Sequence, residues 1–257
     1  DENITHVEGS IDPVRDAETV MTELLLSDLE SMERRIDPIE KKARSGEKEA
    51  KQQFAVMEPV LSALRDGKPA RTVKIADNDR AIFRQLNLLT AKPVLYACNV
   101  EEGNAADGNA HSEAVAAMAA AEGAGTVIVS AAIEAEVAQL GDAEEKREYL
   151  ETLGLSEAGL DRVICAGYSL LDLITFFTSG PKESRAWTVA AGTTAAPAAG
   201  KIHTDFERGF IAAETISYAD FIECNGEQGA KDTGKMRLEG RNYTVQDADV
   251  ILFRFNV

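Results

Sequence analysis

Apolar residues between positions 25 and 64 recur at steps of three and four. Leu25, Leu29, Met32, Ile36, Ile39 and Ala43 form one run, and Ala50, Phe54, Met57, Leu61 and Leu64 form a second after Ser45-Gly46. Heptad-like spacing puts each run on one helical face. A short Gly-containing turn lets two such faces bury each other, so the segment reads as an antiparallel helical hairpin packed like a coiled coil. Pro38 and Pro59 fall inside these runs. A proline in a helix interior removes a backbone donor and costs about 3 kcal/mol or kinks the helix, so the hairpin is expected to be bent or broken at both. Past Gly67-Lys68-Pro69 the chain turns back, with Asp77 or Asn78 placed to cap a further helix through Ile82, Phe83, Leu86 and Leu89.

The period then changes. After Pro93 the run Val94-Leu95-Tyr96-Ala97-Cys98 reads as a strand, His111 to Ala121 as an Ala-rich helix, and Thr126 to Val129 as a buried strand. Ala143 to Leu153 follows as an acidic helix ending at Gly154. Ser156 is the expected cap of a helix from Glu157 to Tyr168. The order β-α-β-α predicts a parallel sheet, so the hairpin is an insert within an α/β domain. From Leu171 the texture becomes short strands at 174–178, 185–189, 210–215 and 250–255, with a short helix near Ala195 to Ile202. That is a small mixed α+β module. The expected division is residues 1–22 and 93–171 for the α/β domain, 23–92 for the insert and 172–257 for the module.

Composition narrows the class. The chain has 257 residues, 44% of them hydrophobic, and no apolar stretch approaches the 18 or more residues of a membrane span, so no membrane is expected as a partner. Asp1-Glu2-Asn3-Ile4 lacks the basic and apolar regions of a signal peptide. Cys98, Cys165 and Cys224 are odd in number and widely spaced, which argues against a disulfide framework or a tetrahedral metal site. A reducing, cytoplasmic setting is the expectation. Cys98 ends the first strand, beside the candidate chemistry at Asn99, where oxidation would disturb a ligand, although a buried strand cysteine of no special role is the commoner case.

The net charge of −17 is unevenly spread. Arg34 to Lys92 carries 14 Lys and Arg against 8 Asp and Glu, a surplus of six positive charges that leaves −23 for the remainder. Such asymmetry points to a nucleic-acid or acidic-partner surface on the hairpin, and equally to a solvated helical face.

Two strand ends carry the candidate chemistry. Asn99-Val100-Glu101-Glu102 follows the first strand, and Ser130-Ala131 follows the second about 30 residues on. In doubly wound sheets ligands bind outside the carboxyl ends of strands, and an Asn-x-x-acid paired with a later Ser-Ala is how P-loop GTPase folds hold a purine. The acid selects the base. An Asp would accept from guanine N1-H and N2-H, whereas Glu102 carries one more methylene and cannot put its carboxylate in that position. A bidentate base contact is worth about 1–3 kcal/mol, so its loss leaves backbone groups near Asn99 or Val100 to select adenine. Glu102-Gly103-Asn104 is also ordinary turn chemistry after a strand, and the residues alone leave both readings standing. Gly192 to Lys201 ends in Gly-Lys but has seven residues between its glycines, not four, and Ile202 follows the lysine. It is not a phosphate loop.

These stretches, together with Asp1-Glu2-Asn3-Ile4-Thr5-His6-Val7, Ser130-Ala131-Ala132-Ile133-Glu134-Ala135-Glu136 and Thr188 through Asp205-Phe206-Glu207-Arg208-Gly209-Phe210, resemble the YchF family of Obg-like ATPases over essentially the whole chain. The resemblance implies a P-loop nucleotide-binding domain, an inserted helical hairpin and a C-terminal TGS module of β-grasp type. It also implies preference for ATP over GTP, with Asn99, Val100 and Glu102 reading adenine and Ser130 and Ala131 closing the pocket. Association with ribosomes, and no DNA partner, are implied as well. His6 matches the place of a histidine proposed in the family to orient the attacking water, a role that matters because phosphoryl transfer asks the protein mainly for positioning and charge stabilisation. His111 and His203 have no such match, and His203 is expected to pack or cap within the module.

A family member would carry roughly 100 further residues upstream, with the Gly-rich loop, its Lys and the Ser or Thr and Asp that hold Mg²⁺. None of these is in the sequence, so the chain as written is not expected to hydrolyse ATP by itself. Two functions follow: an ATPase whose nucleotide state controls ribosome binding, or a ribosome- or RNA-binding regulatory protein in which nucleotide is a weak or structural ligand.

Overall fold

The computed structural model describes residues 10–256, and the contacts separate them into two compact units, Asp1–Ala166 and Gly167–Val257.

The first unit opens with helix α1, Pro13–Arg44, whose N-terminus is set by Asp12, its carboxylate accepting from Arg15 N. Proline at the first helical position sacrifices no helical hydrogen bond. The helix therefore begins well ahead of residue 23, and runs across the division expected there. A turn through Ser45-Gly46-Glu47 leads to α2, Lys48–Arg65. The two helices bury Met32 and Ile36 against Val56, Met57, Val60, Leu61 and Leu64, with Leu25, Leu29, Ile39 and Phe54 packed beside them. Arg65 crosses from one helix to the other to pair with Glu33 at 2.9 Å. Both prolines lie inside unbroken helices, so the expected break does not occur. Each is exposed, on the face away from the seam, where water takes over the carbonyl that the missing N–H would have served.

The helix predicted through Leu89 stops early. A 3-10 turn, Asp77–Asp79, leads into α3, Arg80–Gln85, which has no side-chain cap from Asp77 or Asn78. Tertiary bonds claim the next residues. Arg35 donates to the carbonyl of Leu86 at 2.7 Å, and Asp28, buried within α1, accepts from Leu89 N, Thr90 N and Thr90 Oγ1 at 2.7–2.9 Å. Asn87 takes a positive φ of 53° to turn the chain into that network.

Strands β1, Leu95–Asn99, and β2, Gly125–Val129, pair in parallel, with helix α4, Ala110–Glu122, crossing between them. Asn109 caps α4 in a reciprocal box with Ser112, each satisfying a backbone donor the helix would otherwise orphan. Helices α5, Ala131–Val137, α6, Ala143–Thr152, and α7, Gly159–Leu170, follow. They enclose a small core of Ala105, Ile133, Val137, Leu150 and Leu155. The first helical turn of α7 begins at Gly159 and not at Glu157, and Ser156 makes no cap, because the acceptor comes from Glu134 of α5.

The second unit is a five-stranded mixed sheet in the order β4-β3-β7-β5-β6, built from β3, Leu173–Ser179, β4, Ser184–Ala190, β5, Phe210–Ser217, β6, Arg237–Glu239, and β7, Asp249–Phe255. Helix α8, Ala195–Ile202, lies on it through Ala195, Ala196, Ala198 and Ala199, against Phe176, Val189, Ala213, Ile251 and Phe253. Four alanines on one helix let backbone and sheet approach closely enough for large residues to come from the strands. His203 Nδ1 accepts from Asp205 N and caps helix α9, Thr204–Arg208, the capping role expected of it. Gly209 is required next, because a Cβ there would stand 1.9 Å from the carbonyl oxygen of Asn256. Two short helices, α10, Tyr218–Glu223, and α11, Glu227–Asp232, complete the unit. Among the described residues no helix is long and apolar enough to cross a membrane.

Candidate functional site

The parallel register aligns the carboxyl ends of β1 and β2, with Asn99 opposite Val129. One further ladder bond, Val100 N to Val129 O at 2.8 Å, carries the pairing past the end of β1 and buries Val100. The chain beyond each strand then folds outward. Asn99 Oδ1 accepts from Ala131 N at 2.9 Å, so a single side chain joins the first motif to the second across 32 positions of sequence. Ser130 occupies the cap position of α5, is 2% exposed, and its Oγ has no hydrogen-bond partner.

Glu102 opens a 3-10 turn, Glu102–Asn104, and is exposed. Within reach of its charge is Tyr149 of α6, whose hydroxyl donates to Glu136 of α5. The Tyr149 hydroxyl is pushed up to about 12, first by that hydrogen bond, then by partial burial and by the charges of Glu136 and Glu102. Glu102 and Glu136 thus lend one mouth a negative field. Asn99, Val100, Ser130 and Ala131 lie at the aligned strand ends, and Glu102 opens the turn beyond β1. His6 lies outside the described residues. Among the described residues no cluster of three or more His, Cys, Asp and Glu side chains is arranged to hold a metal.

A separate cavity of about 240 Å³ flanks β1 on the α4 side, lined by Tyr96, Cys98, Asn99, Asn109, His111 and Val115 among others. It shares Asn99 and Val100 with the site but not Glu102, Ser130 or Ala131. Burial pushes the Cys98 thiol up, which keeps it protonated and a poor nucleophile at neutral pH.

Sequence reasoning misses α5 and the residues that brace it. Glu134 accepts from Gly159 N and Leu160 N at 2.7 and 3.1 Å, capping α7 from 25 residues away. Arg162 of α7 donates to the carbonyl of Ala105, just past the Glu102 turn, at 3.2 Å. The alternation of acids in Glu134-Ala135-Glu136 is the available signal, since residues two apart on a helix point in different directions and serve different partners.

The family described as "YchF-GTPase_C: Protein of unknown function (DUF933)" matches residues 173–256. The protein named "Ribosome-binding ATPase YchF" of Haemophilus influenzae is 52% identical over 256 residues, spanning 100% of this chain and 70% of that protein. Its namesake from Bacillus subtilis is 48% identical over 259 residues with the same coverage. The structure titled "Structure of the Schizosaccharomyces pombe YchF GTPase" superposes with a TM-score of 0.84 at 30% identity, over 99% of this chain and 69% of that one. Identity near one half over the whole of this chain means that it belongs to the YchF family.

Proposed function

We propose that the protein is an ATP-binding, ATP-hydrolysing P-loop protein that binds ribosomes in the cytoplasm, and that the ends of β1 and β2 read its adenine. The observation that carries this reading is the Asn99 Oδ1 to Ala131 N hydrogen bond. With its oxygen committed to the second motif, the Asn99 amide has its N–H donors left for an acceptor on the ligand. Adenine and guanine both offer N7 as acceptor, whereas at the six position adenine carries a donor amine and guanine an acceptor oxygen. Asn99 therefore holds a purine without choosing between the two. The choice falls to Glu102, whose extra methylene keeps its carboxylate from accepting guanine N1–H and N2–H as an Asp would, leaving backbone groups near Asn99 and Val100 to favour adenine. The backbone at Val100 lies beside the six position, and the unpaired Ser130 hydroxyl and Ala131 close the pocket.

In this reading residues 1–22 and 93–171 belong to the nucleotide-binding domain, 23–92 to a coiled-coil hairpin inserted in it, and 172–257 to a TGS module of β-grasp type. His6 orients the attacking water, and Mg²⁺ on the phosphates supplies charge neutralisation when nucleotide is bound. The names of the relatives support the ribosome as partner. The positive surplus of residues 34–92 suits a phosphate backbone, with Arg34 and Arg44 side chains exposed although each is also paired along α1, to Glu30 and Glu40. That surplus also favours the second reading, a ribosome- or RNA-binding regulator in which nucleotide is a weak or structural ligand.

Calorimetric titration of ATP and GTP with Mg²⁺ into the full-length protein separates the two. ATP binding at least about tenfold tighter than GTP is expected, the order of one good base contact. Equal or absent binding of both would contradict the ATP-selective site and leave the regulator.

A further inference from the structure

Helix α7 touches both halves of the candidate base site with its first turn. On the side of the second motif, the Glu134 carboxylate takes the two leading N–H groups of α7, from Gly159 and Leu160. The approach is so close that a Cβ on Gly159 would stand 2.8 Å from Glu134 Oε1 and 3.4 Å from Val129 Cγ1, the side chain of the last residue of β2. On the side of the first motif, Arg162 Nη1 reaches the carbonyl of Ala105 at 3.2 Å, where the turn that Glu102 opens comes to its end. Arg162 Nε is buried without a partner, as is Ser130 Oγ.

An ordinary helix cap comes from the residue just before the helix. Ser156 and Glu157 stand close upstream in sequence and neither is used, so the cap is spent instead on tying α7 to α5, the helix that Ser130 and Ala131 begin. A carboxylate at a helix N-terminus is stabilised by the helix dipole as well as by its hydrogen bonds, which makes this tie a stiff one. The Arg162 contact is the matching tie to the other motif. We infer that Glu134 and Arg162 are positioning residues for the base site, with the first turn of α7 acting as a clamp that fixes the spacing between the Asn99–Glu102 segment and the Ser130–Ala131 segment. The inference rests on the reading of those segments as an adenine pocket.

The test uses the full-length protein and calorimetric titration of ATP, with Glu134→Ala, Glu134→Gln and Arg162→Gln. Loss of the carboxylate is expected to weaken ATP binding about tenfold, with much of it recovered in Glu134→Gln, which keeps an acceptor. Arg162→Gln is expected to weaken ATP binding in the same direction through the other motif, and it supplies the answer if Glu134→Ala does not fold. Ligand binding slows exchange at every amide that opens globally, so the independent readout is slowing at the Gly159 and Leu160 amides beyond that of core amides elsewhere in the same unit. Such an excess is expected when ATP is added to the wild-type protein. ATP bound by the wild type but equally well, within twofold, by Glu134→Ala and Arg162→Gln would overturn the inference while leaving the pocket intact. No ATP binding by the wild type would remove the pocket and the clamp together.

Discussion

At the scale of single residues, the site depends on what each side chain has already committed. Asn99 has given its oxygen to Ala131, and Glu102 is exposed. Shortening that one acid is therefore the sharpest perturbation available. Glu102→Asp should raise GTP affinity relative to ATP, by up to the roughly 1–3 kcal/mol of a bidentate base contact, in competition titrations with the two nucleotides. An unchanged ratio would mean that Glu102 takes no part in selection. Asp28 makes the corresponding statement about stability. It is buried at 3% exposure and accepts three hydrogen bonds from Leu89 and Thr90. Removing a partner from a buried network costs the desolvation of every donor left behind, about 1–3 kcal/mol each. Asp28→Ala should thus lower unfolding free energy by about 3 kcal/mol or more in urea titration, and a loss below about 1 kcal/mol would contradict the network's role.

The tyrosines add a pH dependence at the same scale. Tyr149, bonded to Glu136, and Tyr243, half-buried and donating to Asp249, are both pushed up to about 12 from an ordinary 10.0. A proton held more tightly in the folded state stabilises that state as long as the unfolded group is still protonated. This contribution is complete below about pH 10 and fades between about pH 10 and about 12. Absorbance titration of tyrosinate should show a late component that Tyr149→Phe and Tyr243→Phe each diminish; a component unchanged in both variants would contradict the assignment.

At the scale of elements, what is legible in the sequence is whatever local pattern decides. The strand at 126–129 and the helices at 111–121, 143–153 and 195–202 fall within a residue or so of β2, α4, α6 and α8, because each has its period and flanking turn in its own sequence. The strands of the second unit are nearly as legible, since alternation and β-branched residues mark them. The failures have tertiary causes. The helix expected to reach Leu89 ends at Gln85 because Asp28 and Arg35 take the following backbone groups. Helix α7 starts at Gly159 and not at Glu157 because Glu134 caps it from a distance. Pro38 and Pro59 do not break their helices, because both face solvent on helices whose opposite faces are held by a shared apolar core. Helices α5, α9, α10 and α11 and strand β6 are three to seven residues long, too short for any period to declare itself. The site is legible in part for the same reason. Strand ends can be read from apolar runs, but the bond from Asn99 to Ala131 and the bracing by Glu134, Tyr149 and Arg162 exist only after folding.

At the scale of the whole molecule, the chain divides into two units with separate cores. The first holds the parallel strands, their motifs and the helix pair; the second is a sheet covered by an alanine-faced helix and closed by short helices. The negative net charge and the positive surplus of residues 34–92 suit a protein that meets a phosphate-rich surface through one segment and is repelled elsewhere. Binding through such an element is sensitive to salt.

The central claim is that adenine sits at the ends of β1 and β2, and the most direct measurement is a crystal structure of the full-length protein with a non-hydrolysable ATP analogue. The purine N7 is expected within hydrogen-bond distance of Asn99 Nδ2, with Val100 beside the six position and Ser130-Ala131 against the ring. A base lodged instead in the cavity between β1 and α4, or bound without contact to Asn99, would contradict it.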